Sequence, residues 1–157
     1  MDDAIAVVRA APEQLPVVLR LVQRLLMELS DAPAEFDGWD PAKVRLALES
    51  AGDRFAALLA QTQAGEIVGV ATLTEAIAAY AHGRYGIISE LYVVPSHRSH
   101  GVGRILLEAV KDFGRERGWR RVDVTAPPEA RWERTVDFYR RNGFVFTGPK
   151  LRFQLAE

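Results

Sequence analysis

The sequence predicts a mixed α/β domain, and three patterns carry that prediction. Short apolar runs of strand length are interspersed with stretches whose apolar residues recur every three or four positions. Two of the strand-like runs, Arg54 to Gln61 and Glu66 to Thr74, flank Ala64-Gly65, a hairpin signal. A third run, ending at Pro95, feeds a basic, glycine-containing turn that opens into an amphipathic helix. The helices and strands do not alternate regularly, which argues against a doubly wound nucleotide-binding fold.

The elements follow in order. Ala4 to Ala10 reads as a strand, and Pro12 starts a helix with Leu15, Val18, Leu19, Val22, Leu25, Leu26 and Leu29 at helical spacing. Pro12 and Pro16 lie early in that helix, and only the second costs its hydrogen-bond ladder a donor. Asp31 to Asp40 reads as a loop. Asp40-Pro41 reads as an N-cap followed by proline at the first helical position, opening a short helix to about Ser50 that Gly52 stops. After the hairpin, Ala76 to Arg84 reads as a strand end and loop, and Tyr85 to Val94 as a strand closed by Pro95. The next helix presents Val102, Leu106, Val110 and Phe113 on one face and ends near Gly118. Val122 to Ala126 reads as a strand, and Arg131 to Asn142 as a helix ended by a left-handed Gly143. Phe144 to Thr147 and Leu151 to Leu155 are expected to be closing strands, bent apart at Gly148-Pro149.

Bulk composition bounds the class. The 157 residues suit one compact domain spanning 1–157. Apolar residues make up 48% and charged residues 26%, as in an ordinary globular protein. A net charge of -1 gives no reason to expect a nucleic-acid partner. Zero cysteines excludes disulfides and thiolate metal sites, and fits a reducing cytoplasm. The start, Met1-Asp2-Asp3-Ala4, lacks the pattern of a signal peptide, and no apolar run approaches the ~20 residues of a membrane span. A cytoplasmic protein without membrane association is therefore expected.

The basic turn is the first place where chemistry is legible. Glycines at 101 and 103 let a ligand approach backbone N–H groups closely, and a helix begins there. Arg98 and Arg104 add positive charge, and the helix dipole reinforces it. The residues therefore point to phosphate, or to a plain strand-to-helix turn that needs glycine. A P-loop is excluded, because no Gly-Lys-Ser/Thr follows, and a dinucleotide fingerprint lacks its third glycine.

Arg98-x-x-Gly101-x-Gly103, preceded by Glu90-Leu91-Tyr92-Val93-Val94-Pro95, resembles the acyl-CoA-binding motif of the GNAT (GCN5-related) N-acetyltransferases. Phe138-Tyr139-Arg140-Arg141-Asn142-Gly143-Phe144 is similar to the same family's last helix and the start of its following strand. With the element order, the resemblance covers roughly residues 4 to 155. It implies a mostly antiparallel central sheet, splayed at the cofactor and flanked by helices. It also implies acetyl-CoA as cosubstrate, no metal, and transfer of the acetyl group to a primary amine by direct attack. Backbone N–H groups from Arg98 through Ser99, His100, Gly101, Val102 and Gly103 to Arg104 would hold the pyrophosphate. Backbone from Leu91 through Tyr92 to Val93 would pair with the pantetheine arm and polarise the thioester carbonyl.

Two proton services complete that chemistry. Tyr139 matches the tyrosine that the family often uses to protonate the thiolate leaving group, and otherwise packs against coenzyme A. Glu90 matches the place of a base acting through water on the incoming ammonium ion, or of a group that orients it. Strand alternation sends Ser89 and Leu91 to the opposite side of the sheet from Glu90. One departure stands out. The position at which many members carry a coenzyme-holding asparagine is Trp132 here, leaving Arg131, Arg134 or Thr135 to serve instead.

His97 and His100, with His82, do not make a persuasive metal site, since two of them fall inside the phosphate turn. For the acceptor, the resemblance points to the first two helices and the loop between the middle strands. These offer Glu35, Phe36, Asp37 and Trp39 on one side and Tyr80 and His82 on the other. Acids beside aromatics suit a cationic amine. The acceptor stays open between a small molecule and a protein amine, and a homodimer is an option that the family often takes. The competing reading is a non-catalytic acyl-CoA-binding sensor of the same fold.

Overall fold

A computed structural model describes residues 4–29, 38–126 and 133–155. The chain divides into two compact units, Met1–Asp123 and Val124–Glu157.

The first unit is built on a sheet with strand order β1-β2-β3-β4-β5. Its strands are β1 (Ala6–Arg9), β2 (Phe55–Gln61), β3 (Ile67–Ala78), β4 (Gly83–Val93) and β5 (Val122–Val124). The pairs β1–β2, β2–β3 and β3–β4 are antiparallel. The strand expected to run from Val122 to Ala126 thus ends two residues early. Beside β4, the Gly86 N–H donates to the Arg121 carbonyl at 3.0 Å. The hairpin at Ala64-Gly65 forms as expected, with Gly65 at a φ of +89° and its N–H on the Thr62 carbonyl. The region around Ala76 to Arg84 is more regular than expected: β3 runs to Ala78, and only a tight turn with a left-handed His82 separates it from β4.

Helices cover both faces. α1 (Leu15–Leu29) buries Leu15, Val18, Leu19, Leu21 and Val22, with Pro16 confined to its first turn, where amides lack helical partners anyway. α2 (Pro41–Ser50) begins as the sequence signals: Asp40 Oδ1 accepts the Ala42 N–H at 2.9 Å, and Pro41 occupies the first turn. α3 (Val102–Glu116) buries Val102, Leu106, Leu107 and Val110. Its Val102 and Leu106 lie over Gly69, where an added Cβ would meet Leu106 Cδ1 at 3.0 Å. Gly69 faces one side of β3. Thr72, three residues on, faces the other side, toward α1.

The second unit holds α4 (Glu133–Arg141), with Gly143 left-handed behind it at a φ of +90°. The Gly143 N–H donates to the Arg140 carbonyl at 3.0 Å, completing the expected stop. The closing strands expected at Phe144 to Thr147 and Leu151 to Leu155 do not form. Alternation marks a segment that could line a sheet, but a strand exists only when a neighbour pairs with it. Here Phe144 spends its N–H on the Tyr139 carbonyl at 3.0 Å. Gly148, at a φ of +138°, and Pro149, which has no N–H, interrupt the run. Val145, Phe146, Leu151, Phe153 and Leu155 stay exposed.

Candidate functional site

β3 and β4 pair from Gly69↔Val93 to Thr72↔Glu90, and again from Leu73↔Ile88 to Ala78↔Gly83. Ser89 therefore has no opposite residue, and β4 bulges there. The extra residue resets the alternation. Ser89 and Glu90, expected on opposite sides of the sheet, instead line one cavity of about 130 Å³. Its floor is Thr72, Thr74, Ser89 and Glu90. Its walls are Val18, Leu19, Val22 and Leu26 of α1, Val44 and Leu48 of α2, and the rings of Trp39 and Phe55.

Thr72 organises the floor. Its Oγ1 accepts the Glu90 backbone N–H at 3.0 Å, and its hydroxyl donates to Glu90 Oε2. Thr74 Oγ1 and Ser89 Oγ lie 3.4 Å apart alongside. Burial pushes the Glu90 carboxyl above the usual carboxylate range, and the hydrogen bond from Thr72 partly opposes that rise. A carboxylate set in an apolar cavity is thereby moved toward the range in which a base works at neutral pH.

Beyond Glu90 the strand offers backbone donors on its other edge. Glu90 and Val94 direct their N–H groups to β3, onto Thr72 Oγ1 and the Val68 carbonyl. Alternation turns the Leu91 and Val93 amides away from β3 and keeps that of Tyr92 on it. Tyr92 instead contributes its ring, buried between the guanidinium groups of Arg24 and Arg98 at 5.6 and 5.3 Å. Its hydroxyl donates to Glu28 Oε1 at 3.2 Å. Burial raises the pKa of that phenol, with the Glu28 charge adding to the effect.

The turn that follows forms a donor cup. Pro95–His97 makes one tight helical turn, Ser99 and Gly101 are left-handed at φ of +64° and +84°, and α3 begins. Ser99 is a rare non-glycine residue in that region, while glycine at 101 meets no steric objection. The first α3 amide with a backbone acceptor is Ile105, on the Gly101 carbonyl at 3.0 Å. Those of Val102, Gly103 and Arg104 come before it and have no such acceptor among the described residues. The side chains of Ser99, His100 and Arg104 are exposed around them. Arg98 differs from expectation. Its backbone N–H is spent on the Pro95 carbonyl, and its guanidinium turns back to both Glu28 carboxylate oxygens at 2.9 and 2.8 Å and to the Val93 carbonyl at 2.8 Å. It ties the turn to α1, with its charge already matched.

In the second unit, Tyr139 of α4 is buried, its ring edge-on to Phe138 and Phe144 at 5.3 and 5.4 Å. Burial pushes its phenol up to about 12. Thr135 lies on the same helix and is half-buried. Of the residues proposed for the acceptor, Trp39 lines the cavity. Tyr80 and His82 do not. Tyr80 is exposed at the β3–β4 turn, its hydroxyl 3.1 Å from that of Tyr85 and its ring under the Arg121 guanidinium at 4.7 Å. His82 is exposed at the same turn. Glu35, Phe36, Asp37, Arg131 and Trp132 lie outside the described residues.

The cavity walls were hidden in the sequence because Val18, Leu19, Val22 and Leu26 carry the same spacing as any core-facing stripe. Thr72 could be found only from the register that sets it opposite Glu90. Among the described residues no group of three or more His, Cys, Asp or Glu could hold a metal, and no helix is long and apolar enough to cross a membrane.

Comparisons with known proteins agree on one family. The profile described as Acetyltransferase (GNAT) family matches residues 23–144. A streptothricin acetyltransferase of Streptomyces lavendulae is 41% identical over 66 residues, which are 39% of this chain and 31% of that protein. The match thus spans about a third of that curated relative's length. A GCN5-related N-acetyltransferase from Ralstonia eutropha superposes with a TM-score of 0.82 at 19% identity, covering 98% of this chain and 100% of that one. An aminoglycoside acetyltransferase from an uncultured soil metagenomic sample gives 0.78 at 24% identity, covering 98% and 99%. At such identities the two structures establish the fold alone.

Proposed function

Because the chain belongs to the acetyltransferase (GNAT) family, we propose that it transfers the acetyl group of acetyl-CoA to a primary amine by direct attack. The observation that carries this reading is the carboxylate of Glu90, half-buried in the cavity lining with its pKa raised by desolvation. Glu90 takes a proton from the incoming ammonium ion, directly or through water, and frees the nitrogen lone pair to attack the thioester carbon. The C–S bond then breaks with the electron pair going to sulfur, the nitrogen loses its second proton and the thiolate takes one up from Tyr139 or water, leaving an acetamide and coenzyme A.

Acetyl-CoA supplies the activated acyl group and a thiolate leaving group. The amides of Val102, Gly103 and Arg104 suit its pyrophosphate, since they lie together at a helix N-terminus and lack a backbone acceptor among the described residues. Ser99, His100 and Gly101 shape that cup. The Leu91 and Val93 backbone edge suits the pantetheine amides and a polarised thioester carbonyl. Arg98 serves by fixing the cup to α1 rather than by charge. Thr135 and Tyr139 complete the assignment from α4. The absence of cysteine favours direct attack over a cysteine-bound acyl intermediate. A cytoplasmic location and a small-molecule acceptor are parts of the same reading.

The test is release of coenzyme A from acetyl-CoA with a panel of primary amines, together with the melting temperature measured with and without coenzyme A. Amine-dependent thiol release with acetylated product supports transfer. Stabilisation by coenzyme A without turnover on any amine replaces it with a binding module.

Two substitutions examine the proton services. Tyr139, raised to about 12, stays protonated through the working pH range and donates a hydrogen bond to the departing sulfur. Tyr139→Phe is expected to lower kcat by about 10- to 100-fold, with the KM for acetyl-CoA little changed; an unchanged kcat would remove Tyr139 from the chemistry. Thr72→Val deletes the hydroxyl that favours the Glu90 carboxylate. The Glu90 pKa then rises further, and the acidic limb of the kcat/KM profile moves to higher pH. Thr72→Ser, which keeps the hydroxyl, is expected to return the limb to its wild-type position. A limb that stays put in Thr72→Val separates it from Glu90.

A further inference from the structure

We propose that the amine selected by the α1–α2 cavity is a monocation on a compact apolar body, not a polycation; this rests on the acetyl-transfer reading of the same cavity. Charge is the first reason. Glu90 is the one ionisable group among the described residues that line the cavity, so it pairs with one ammonium. Any further ammonium drawn inside would lose its water with no second opposite charge among the described lining residues to replace it.

The polar floor is also largely committed. The Thr72 hydroxyl both donates to Glu90 and accepts from its backbone, and the Ser89 and Thr74 hydroxyls face each other. A polyhydroxylated ring would bury hydroxyls that find few partners, and unpaired buried hydroxyls are penalised more than apolar groups in the same place.

The remaining lining is what an apolar body requires. Val22 and Leu26 of α1, Val44 and Leu48 of α2, and the rings of Trp39 and Phe55 offer no hydrogen bond except the Trp39 indole N–H. Burying alkyl or aryl surface against them is favourable in proportion to the area removed from water. The size agrees. The cavity of about 130 Å³ is close to the ~150 Å³ apolar cavity known to accept benzene, so a body of about six carbons fills it. A primary amine on a six-carbon chain, or on a phenyl ring through a short linker, satisfies charge, polarity and volume together. The aminoglycoside acetyltransferases that share the fold do not weigh against this, because at 24% identity that likeness shows the fold alone.

The test measures coenzyme A release with hexylamine, phenethylamine, hexamethylenediamine, ethanolamine and sisomicin at saturating acetyl-CoA. Hexylamine and phenethylamine are expected to exceed hexamethylenediamine and ethanolamine in kcat/KM by about tenfold or more. Leu48→Glu places a second carboxylate on the wall, on a helix with no buried residue, and is expected to raise the diamine-to-monoamine ratio by about tenfold. If that variant does not fold, Val44→Glu is read by the same ratio. Preference of the wild-type protein for hexamethylenediamine or sisomicin overturns the selectivity and leaves acetyl transfer standing. Turnover with none of the five amines overturns both.

Discussion

Glu90→Gln is expected to lower kcat/KM for the amine by about 100- to 10,000-fold at neutral pH, the range associated with loss of a positioned base. The same variant is expected to be more stable than the wild type, which separates a lost chemical role from a damaged fold. Burial raises the Glu90 carboxyl above its unfolded value, so the folded state holds that proton more tightly. Its contribution to stability is fully present below the unfolded pKa of about 4.3 and is lost as pH rises through the folded pKa. Glutamine stays neutral throughout. The variant's advantage in melting temperature is therefore greatest above the folded pKa and vanishes toward about pH 4. Activity against pH and melting temperature against pH, recorded on both proteins, check the two halves together. Retention of wild-type kcat/KM at neutral pH would exclude Glu90 as the base.

What could be read from the sequence depended on whether the signal was local. Asp40 as a cap, Gly101 opening α3 and Gly143 ending α4 each depend on a few neighbouring residues, and all stand where they were expected. Glu90 was singled out by the family resemblance, and the structure sets it in the cavity lining. Its surroundings were not legible. Whether Ser89 shares its side of the sheet depends on a bulge, and a bulge is a property of pairing between β3 and β4. Thr72 becomes its partner through that same register. Arg98 shows the converse. Placed beside a phosphate cup it reads as a ligand, yet Glu28, seventy positions away in the chain, takes its guanidinium. The segments from Phe144 to Leu155 had the alternation of strands without a partner to pair with, and alternation alone could not supply one.

Gly86→Ala is expected to be the most damaging single methyl group in β4. A Cβ at Gly86 would stand 2.2 Å from Trp119 Cζ3 and 2.3 Å from Cε3, far inside van der Waals contact with the ring. The indole has little freedom to retreat. It is buried, lies edge-on to Phe113 at 5.5 Å, and would meet a Cβ on Gly114 at 2.9 Å. Its Nε1 donates to Glu75 Oε1 at 2.7 Å, so displacing it leaves a buried carboxylate with the longer contact from Arg117 at 3.2 Å as its remaining hydrogen bond among the described residues. Overpacking costs about 1–3 kcal/mol, and the lost hydrogen bond to a buried charge adds a similar amount. A combined loss of about 2–5 kcal/mol corresponds to a fall in melting temperature of roughly 5–15 °C. Trp119→Leu on its own is destabilising, but it removes the obstruction. The double variant Gly86→Ala with Trp119→Leu is therefore expected to lose less than the sum of the two single losses. Strict additivity, or a Gly86→Ala protein that melts with the wild type, would show that the ring moves aside freely. Because Gly86 belongs to the strand that carries Ser89 and Glu90, a methyl group that shifts β4 also disturbs the cavity floor. Acetyl transfer in Gly86→Ala is expected to fall even below the temperature at which it unfolds.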